Sequence, residues 1–276
     1  MLLYRTSTGP ILHCDGAWYL IDRPWNDLVN DDSLFETLNE MLPKLKEDPA
    51  LESVAETPLA PITDQEIWAA GVTYFRSKTA RMEESQDAGG GDFYDRVYDA
   101  VRPEIFMKAT AQRTVGTGEM MHRRSDSKWI VPEPELTLVI TRSGKIIGYT
   151  VGNDLSCRDI EGENPLYLPQ AKSFDRCASI GPAILVSKEP PAKDAQIKMT
   201  ITRGGEIVFQ DQTEIAQIKR GFEELAEFLF RDNSHANGCL LMTGTGVIPP
   251  DEFSLQTGDV VEIEIDGIGK LINSMD

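Results

Sequence analysis

Glu133-Pro134-Glu135-Leu136-Thr137-Leu138-Val139-Ile140, then Thr141-Arg142-Ser143-Gly144-Lys145, then Ile146-Ile147-Gly148-Tyr149-Thr150-Val151-Gly152-Asn153-Asp154: this stretch decides how the chain is read. Two runs rich in apolar and β-branched residues flank a turn signal centred on Ser143-Gly144, the pattern of a β-hairpin. A two-residue turn there sets Glu133 opposite Asp154 and Glu135 opposite Gly152. It also sets Leu136 opposite Val151, Leu138 opposite Tyr149 and Ile140 opposite Ile147. Side chains alternate between the faces of a strand. One face is then apolar and requires a core, while the other gathers Glu133, Glu135 and Asp154. A slip of one residue would turn the apolar set to the wrong side, so the register is strongly specified.

Directly opposed Cβ atoms lie about 4.5–5.5 Å apart, so the three carboxylates crowd together. Like charges at that range repel unless a cation lies between them. Oxygen-only ligands suit a hard divalent ion such as Mg2+, Mn2+ or Ca2+. Gly152 leaves room opposite Glu135. The competing reading is a solvated strand face with spare carboxylates, a serious one in so acidic a chain. The opposed pairing and the polar run Asp154-Leu155-Ser156-Cys157-Arg158-Asp159 favour the metal.

With 276 residues, 41% of them hydrophobic, the chain can bury a large core as one domain with a smaller appendage. A net charge of −18 argues against nucleic acid and anionic membranes as partners. No apolar run reaches membrane-spanning length, and the first residues lack the long apolar segment of a signal peptide. Cys14, Cys157, Cys177 and Cys239 show no CxxC spacing, which suits free thiols in a reducing cytoplasm. His13, His122 and His235 are equally dispersed, so a Cys/His zinc site is not expected.

Residues 1–60 read as a small N-terminal α/β appendage and 61–276 as the main domain. In the first part, Asp15-Gly16 joins two short strands, and Asp32 or Ser33 is placed to cap a helix carrying Leu34, Leu38, Met41, Leu42 and Leu45. Thr63 to Glu66 resembles a capping box opening a helical turn. Trp68 to Tyr74 reads as a strand, followed by a charged segment from Arg76 to Gly91 that is a lid candidate. Asp92 to Val101 has helical spacing. Arg102 to Lys108 is a strand with charge at both ends, and Ile160 to Gln170 is polar and proline-broken. Ile197 to Phe209 is a hairpin about Gly204-Gly205. Residues 214–231 carry apolar positions at helical spacing, from Ile215 to Leu229. Cys239 to Met242 is a buried strand closed by the turn Thr243-Gly244-Thr245-Gly246, and the stretch from Asp259 to Asn273 is a last hairpin. Strands dominate, which gives a mainly β, α+β fold class.

Several of these stretches together resemble the fumarylacetoacetate hydrolase superfamily. They are Gly71-Val72-Thr73-Tyr74, Phe106-Met107-Lys108, Glu133-Pro134-Glu135-Leu136, Gly148 to Asp154, Ser156-Cys157-Arg158-Asp159, Gln170 to Asp175, Thr243-Gly244-Thr245 and Gly258-Asp259-Val260-Val261. The resemblance spans about residues 61–276. It implies a mixed β-sandwich roll with a divalent ion, Mg2+ foremost, held by Glu133, Glu135 and Asp154. The hydrolase branch of that family usually follows its Gly-x-Asn-Tyr strand with a lid histidine and glutamate that activate water. Here Phe75-Arg76-Ser77-Lys78 follows, and no histidine occurs from there until His122. Glu161 to Lys172 and Arg102-Pro103-Glu104 instead resemble the sugar-acid dehydratase branch.

That resemblance implies a metal-dependent hydro-lyase converting 2-dehydro-3-deoxy-D-arabinonate to 2,5-dioxopentanoate in sugar-acid catabolism. The alternative on the same metal is a hydrolase or decarboxylase of acylpyruvates or diketo acids. Lys172 and Glu104 are the candidate catalytic pair. A neutral lysine at neutral pH needs help from burial or nearby positive charge. Arg76, Ser77 and Thr245 are candidate substrate-binding residues, although Thr245 serves equally well as a turn former. Arg158 and Asp159 are a candidate structural ion pair. Ser156 is no nucleophile, since no histidine stands in a recognisable relation to it. The family resemblance also implies a homo-oligomer. The partner expected is a small 2-keto acid, with neither nucleic acid nor membrane.

Overall fold

A computed structural model describes residues 1–74 and 96–276. The first strands, β1 (Leu2–Thr6), β2 (Gly9–Cys14) and β3 (Ala17–Leu20), form a meander. Asp15 and Gly16, both at positive φ, make the two-residue turn between β2 and β3. Next come β4 (Glu66–Gly71) and β5 (Glu104–Thr110). The central hairpin is β6 (Pro134–Ile140) and β7 (Ile146–Asp154), followed by β8 (Ala178–Leu185). Then come β9 (Gln196–Arg203), β10 (Glu206–Glu214), β11 (Cys239–Met242), β12 (Val260–Ile265) and β13 (Gly269–Met275).

The main sheet runs β3-β2-β1-β8-β7-β6-β11-β4-β5, with Thr114–Val115 added beside β8. A smaller sheet runs β10-β9-β12-β13 and ends on Met120–Met121. In the smaller sheet Ile197, Met199 and Ile201 alternate with half-buried neighbours, as do Val261, Ile263 and Ile265. These six side chains pack towards β6, β7 and β8, so the core lies between the sheets. Every residue of β6 is buried, and all of β7 except its first. The N-terminal meander joins the main sheet through Leu2 opposite Leu185 and Leu3 opposite Ile184.

The central hairpin keeps its expected register at one end and departs from it at the other. From Val139–Gly148 to Pro134–Asn153 every pair is the expected one. Towards the turn, Ile140 pairs with Ile146, not Ile147. The turn is longer than two residues: Gly144 N–H donates to Thr141 O and Thr141 N–H to Lys145 O, each at 2.9 Å. Gly144 supplies the positive φ, 88°, that this connection requires. A bulge between Ile146 and Gly148 absorbs the extra residue and restores the pairing before the carboxylates are reached.

Several local expectations are corrected. Thr63 to Glu66 forms no helical turn; Gln65 Oε1 accepts the Thr63 N–H at 2.9 Å and Glu66 opens β4. The helix at Leu34–Met41 has no side-chain cap from Ser33. Instead Asp31 Oδ1 accepts the Ser33 N–H at 3.0 Å, and Asp32 turns to the hairpin loop, accepting from Thr141 Oγ1 at 2.6 Å and Ser143 Oγ at 2.7 Å. The pattern over 214–231 yields a helix only at Phe222–Phe230, because β10 runs to Glu214 and Gly221 is its extended N-cap. The proline-broken stretch is helical in short pieces, Arg158–Glu163, Pro165–Tyr167 and Leu168–Lys172. Asn164 caps the second piece through Leu166 N–H, and the prolines sit in the first turns of the second and third. Of the helix expected over 92–101, residues 96–99 are helical among those described.

Candidate metal centre

Alternation along β6 puts Glu135 on the face opposite to Leu136, and the chain just before the strand adds Glu133. Asp154 closes β7 across from them, its N–H donating to Glu133 O at 3.0 Å. One carboxylate oxygen from each of Glu133, Glu135 and Asp154 lies within 4.8 Å of the others. All three side chains are almost fully buried, at 4%, 2% and 1% exposure, which excludes the solvated-face reading. Burial, and then the charges of Asp154 and Glu133, push the Glu135 carboxyl well above the usual carboxylate range. A cluster of that kind is stable only with compensating positive charge.

Three buried cations supply it. Lys172 Nζ donates to Glu133 Oε2 at 2.5 Å, Asp154 Oδ2 at 3.1 Å and Ser156 Oγ at 2.5 Å. Lys108, with no exposed surface, places Nζ 2.7 Å from Asp154 Oδ1 and also donates to Leu155 O and Lys172 O. Arg158 Nη2 donates to Glu133 Oε1 at 2.6 Å, and its Nε lies 4.0 Å from Glu161 Oε2. The expected Arg158–Asp159 pair is therefore not formed. Asp159 turns the other way and accepts from Ser127 Oγ and Lys128 N–H.

The β4 end and the Thr243–Gly246 turn complete the walls. The cavity is bounded by Gly71, Val72, Phe106, Gly244 and Thr245 together with the charged residues. Gly71 pairs with Glu104, and a Cβ on Gly71 would run into the Glu104 carboxylate. Gly71 lines the cavity and, having no side chain, leaves space for the Glu104 carboxylate beside it; Glu104 itself is not among the lining residues. Val72 follows at φ 54°, a left-handed conformation that costs a β-branched residue about 1–3 kcal/mol. The Thr73 hydroxyl holds it there by donating to Thr243 O at 2.6 Å. Gly244, at φ 94°, lets the opposing turn approach: a Cβ would strike Thr73 Oγ1. Its N–H donates to Glu135 Oε2 at 2.5 Å.

Thr245 lines the cavity, but its hydroxyl belongs to the turn, donating to Val247 O at 3.1 Å. Arg76, Ser77 and the lid candidate lie outside the described residues. The three histidines lie elsewhere: His13 stacks on Trp18, His122 bonds Asp276, and His235 packs on Phe230. Lys108, Arg158 and Ser156 are site residues that sequence reasoning missed or assigned differently. The available signal for Lys108 was a lysine inside an otherwise apolar strand run, Ile105 to Ala109.

This donor set, three carboxylate oxygens with no nitrogen or sulfur, fits a hard ion. A family model described as fumarylacetoacetate (FAA) hydrolase C-terminal matches residues 67–276. The chain belongs to that family. It is 50% identical over 216 residues to a probable 2-keto-3-deoxyxylonate dehydratase of Haloferax volcanii, covering 78% of this chain and 73% of that one. It is 44% identical over 216 residues to the 2-dehydro-3-deoxy-D-arabinonate dehydratase of Saccharolobus solfataricus, covering 77% and 72%. A solved 2-keto-3-deoxy-D-arabinonate dehydratase, complexed with magnesium and 2,5-dioxopentanoate, superposes with a TM-score of 0.84 at 34% identity, covering 100% of this chain and 99% of that one. The strand-dominated fold expected from the sequence is the fold of these enzymes.

Proposed function

We propose that this protein is a Mg2+-dependent hydro-lyase that dehydrates a 2-keto-3-deoxy sugar acid, 2-dehydro-3-deoxy-D-arabinonate, to 2,5-dioxopentanoate. The observation that carries the reading is the Lys172 Nζ lying on Glu133 and Asp154, with the Glu104 carboxylate beside Gly71, which lines the cavity. Glu133, Glu135 and Asp154 would hold the ion. When bound, it supplies Lewis acidity to a chelating 2-keto acid, polarising the ketone and acidifying C3. Lys172, acting as the neutral amine, takes the C3 proton at Nζ, oriented by Ser156 Oγ. Glu104 delivers a proton to the departing C4 hydroxyl, which leaves as water. Tautomerisation then moves a proton from C5 to C3, which leaves an enol across C4 and C5, and the enol hydroxyl proton passes to C4 to give the aldehyde. Thr245, Arg76 and Ser77 are proposed to meet the substrate's carboxylate and hydroxyls.

The engagement of every histidine away from the cavity favours this reading over hydrolysis by an activated water. Incubation with Mg2+ and 2-keto-3-deoxy-D-arabinonate is expected to yield the semialdehyde. Lys172→Met is expected to lower kcat by about 10²–10⁴-fold. Release of pyruvate from an acylpyruvate, with no semialdehyde formed, would replace the reading with the hydrolase alternative.

The division into residues 1–60 and a catalytic domain at 61–276 is part of the same proposal, supported by the family match beginning at residue 67. Among the described residues no helix is long and apolar enough to cross a membrane. A cytoplasmic homo-oligomer is proposed, and the four free cysteines support the compartment.

A further inference from the structure

Residues 96–102 lead the chain into β5, and each of them is half-buried or exposed. Apolar burial therefore does little to fix their place, and polar contacts hold them instead. Most of these come from the short connection between β10 and the helix at Phe222–Phe230. The Arg220 side chain there is only 9% exposed. Its Nη2 donates to Ala100 O at 2.5 Å and to Val97 O at 3.1 Å. Its Nη1 donates to Val101 O at 3.4 Å and to Glu224 Oε1 at 2.7 Å. Arg102 in turn lays its guanidinium over the Phe228 ring, 5.6 Å from the centroid. Lys219 reaches the other strand: its backbone N–H donates to Thr73 O at 3.0 Å, just beyond Gly71 at the end of β4. Glu104 opens β5 opposite Gly71. We propose that Arg220, together with the Lys219 N–H, is a positioning residue: it anchors the chain on both sides of the Gly71–Glu104 pair and so holds the Glu104 carboxylate beside the cavity.

A guanidinium suits this task. It offers several N–H donors in one rigid plane, so a single side chain meets three carbonyls at the end of a helical turn, where intrahelical partners run out. Glu224, in the first turn of the following helix, fixes that plane from the other side. The Lys219 side chain contributes less. Its Nζ donates to Tyr98 O and Asp99 Oδ1, each at 2.6 Å, but Lys219 and Asp99 are 38% and 71% exposed, where ion pairs are weak. Arg220 is not among the residues lining the cavity, so its influence on the chemistry passes through the strand pair and Glu104. The proposal rests on the assignment of the C4 proton to Glu104 in the proposed function.

The test compares Arg220→Met, Arg220→Lys and Lys219→Met with wild type by amide hydrogen exchange, Mg2+ titration and steady-state kinetics on 2-keto-3-deoxy-D-arabinonate. In Arg220→Met, exchange over residues 97–105 is expected to quicken roughly tenfold or more, while residues 134–154 exchange as in wild type. Mg2+ affinity should stay within about twofold, and kcat should fall about 10–100-fold, the cost of a catalytic group displaced by roughly 1 Å. Arg220→Lys, which keeps a charged donor, should recover part of that loss. Lys219→Met, which keeps its backbone N–H, should lose about threefold or less. Added to Glu104→Gln, Arg220→Met should cost nothing further. A wild-type kcat in folded Arg220→Met overturns the proposal, as do losses that multiply in the double variant. Should Arg220→Met not fold, Arg220→Gln takes its place with the same outcomes. A slow Glu104→Gln beside a normal Arg220→Met defeats the proposal alone. A Glu104→Gln as fast as wild type defeats the assignment of Glu104 and the proposal with it. Should wild type form no semialdehyde, the proposed function falls, and exchange still judges the anchor: quickening over 97–105 upholds it and unchanged rates overturn it.

Discussion

The two ends of the β6–β7 hairpin answer to different constraints. At the open end, Pro134 to Val139 and Gly148 to Asn153 are buried on both faces, and Glu133, Glu135 and Asp154 are each tied to a charged or backbone donor. At the turn, Arg142 and Ser143 are exposed, and the carboxylate of Asp32 steadies the loop through Thr141 and Ser143. The turn carries one residue more than the tightest hairpin, and the bulge at Ile147 removes its effect within a few residues. Packing on both faces fixes which residues meet, whereas the loop only has to join them. The metal ligands therefore sit where the structure is over-determined, and the irregularity sits where it is harmless.

Glu135→Gln attacks the over-determined end with a single-atom change and is expected to have the largest effect. Loss of one charged ligand should weaken Mg2+ binding by roughly 100-fold or more and remove dehydration with it. The metal-free fold should not suffer. The Glu135 carboxyl is raised by burial and by Asp154 and Glu133, so it opposes folding as pH rises from the unfolded value, about 4.3, and reaches its full cost above the folded value; the amide removes that cost. Gln can still accept the Gly244 N–H. The expected result is a Tm without metal equal to or above that of wild type, and no shift on adding Mg2+. Full activity in this variant would defeat the metal-site assignment.

The same contrast explains what was legible in the sequence. The three ligands lie within one hairpin, so period-two alternation and burial suffice to gather them. The groups that pair with their oxygens come from β5, the helix at Arg158–Glu163 and the turn after β11, and only the folded sheet order brings these together. Lys108 shows this most clearly. Its strand reads as an ordinary edge until the Leu168–Lys172 helix packs on it and Nζ meets Asp154. The helix over 214–231 was over-read because Ile215 and Ile218 fit a helical stripe, yet they sit in a 3-10 turn and an extended residue. The strand hairpins at Asp15-Gly16 and Gly204-Gly205 were legible because a two-residue turn fixes the first pairs, although in the second a bulge between Ile201 and Thr202 shifts the register beyond them.

Gly71→Ala probes the cavity edge, one step away from the ligands. The added Cβ would collide with the Glu104 carboxylate, which must swing aside. Neither residue is one of the three ligands, so Mg2+ affinity should stay within about twofold of wild type. A catalytic group displaced by about 1 Å costs up to roughly 100-fold in rate. Steady-state kinetics should thus show kcat falling by about 10–100-fold with metal binding preserved. Equal loss in Glu104→Gln and in the double variant would show that Gly71 acts through Glu104. Unchanged kcat would remove Glu104 from the proposed pair.

Asp32→Ala tests the permissive end and should have the smallest effect. Hydrogen bonds from Thr141 and then Ser143 hold the Asp32 carboxyl below the usual carboxylate range. A depressed folded pKa means that folding favours the ionised form. The stability this adds is present above the unfolded value, about 3.9, and is lost as pH falls through the lower folded value. Asp32 is largely exposed, so the contribution is about 1 kcal/mol or less at neutral pH. Denaturation of Asp32→Ala should show that deficit at pH 7, shrinking towards zero near pH 2–3, with Mg2+ affinity and kcat within twofold of wild type. A loss of metal binding in this variant would mean that the turn sets the register after all, and that the Ile147 bulge does not insulate the carboxylates from it.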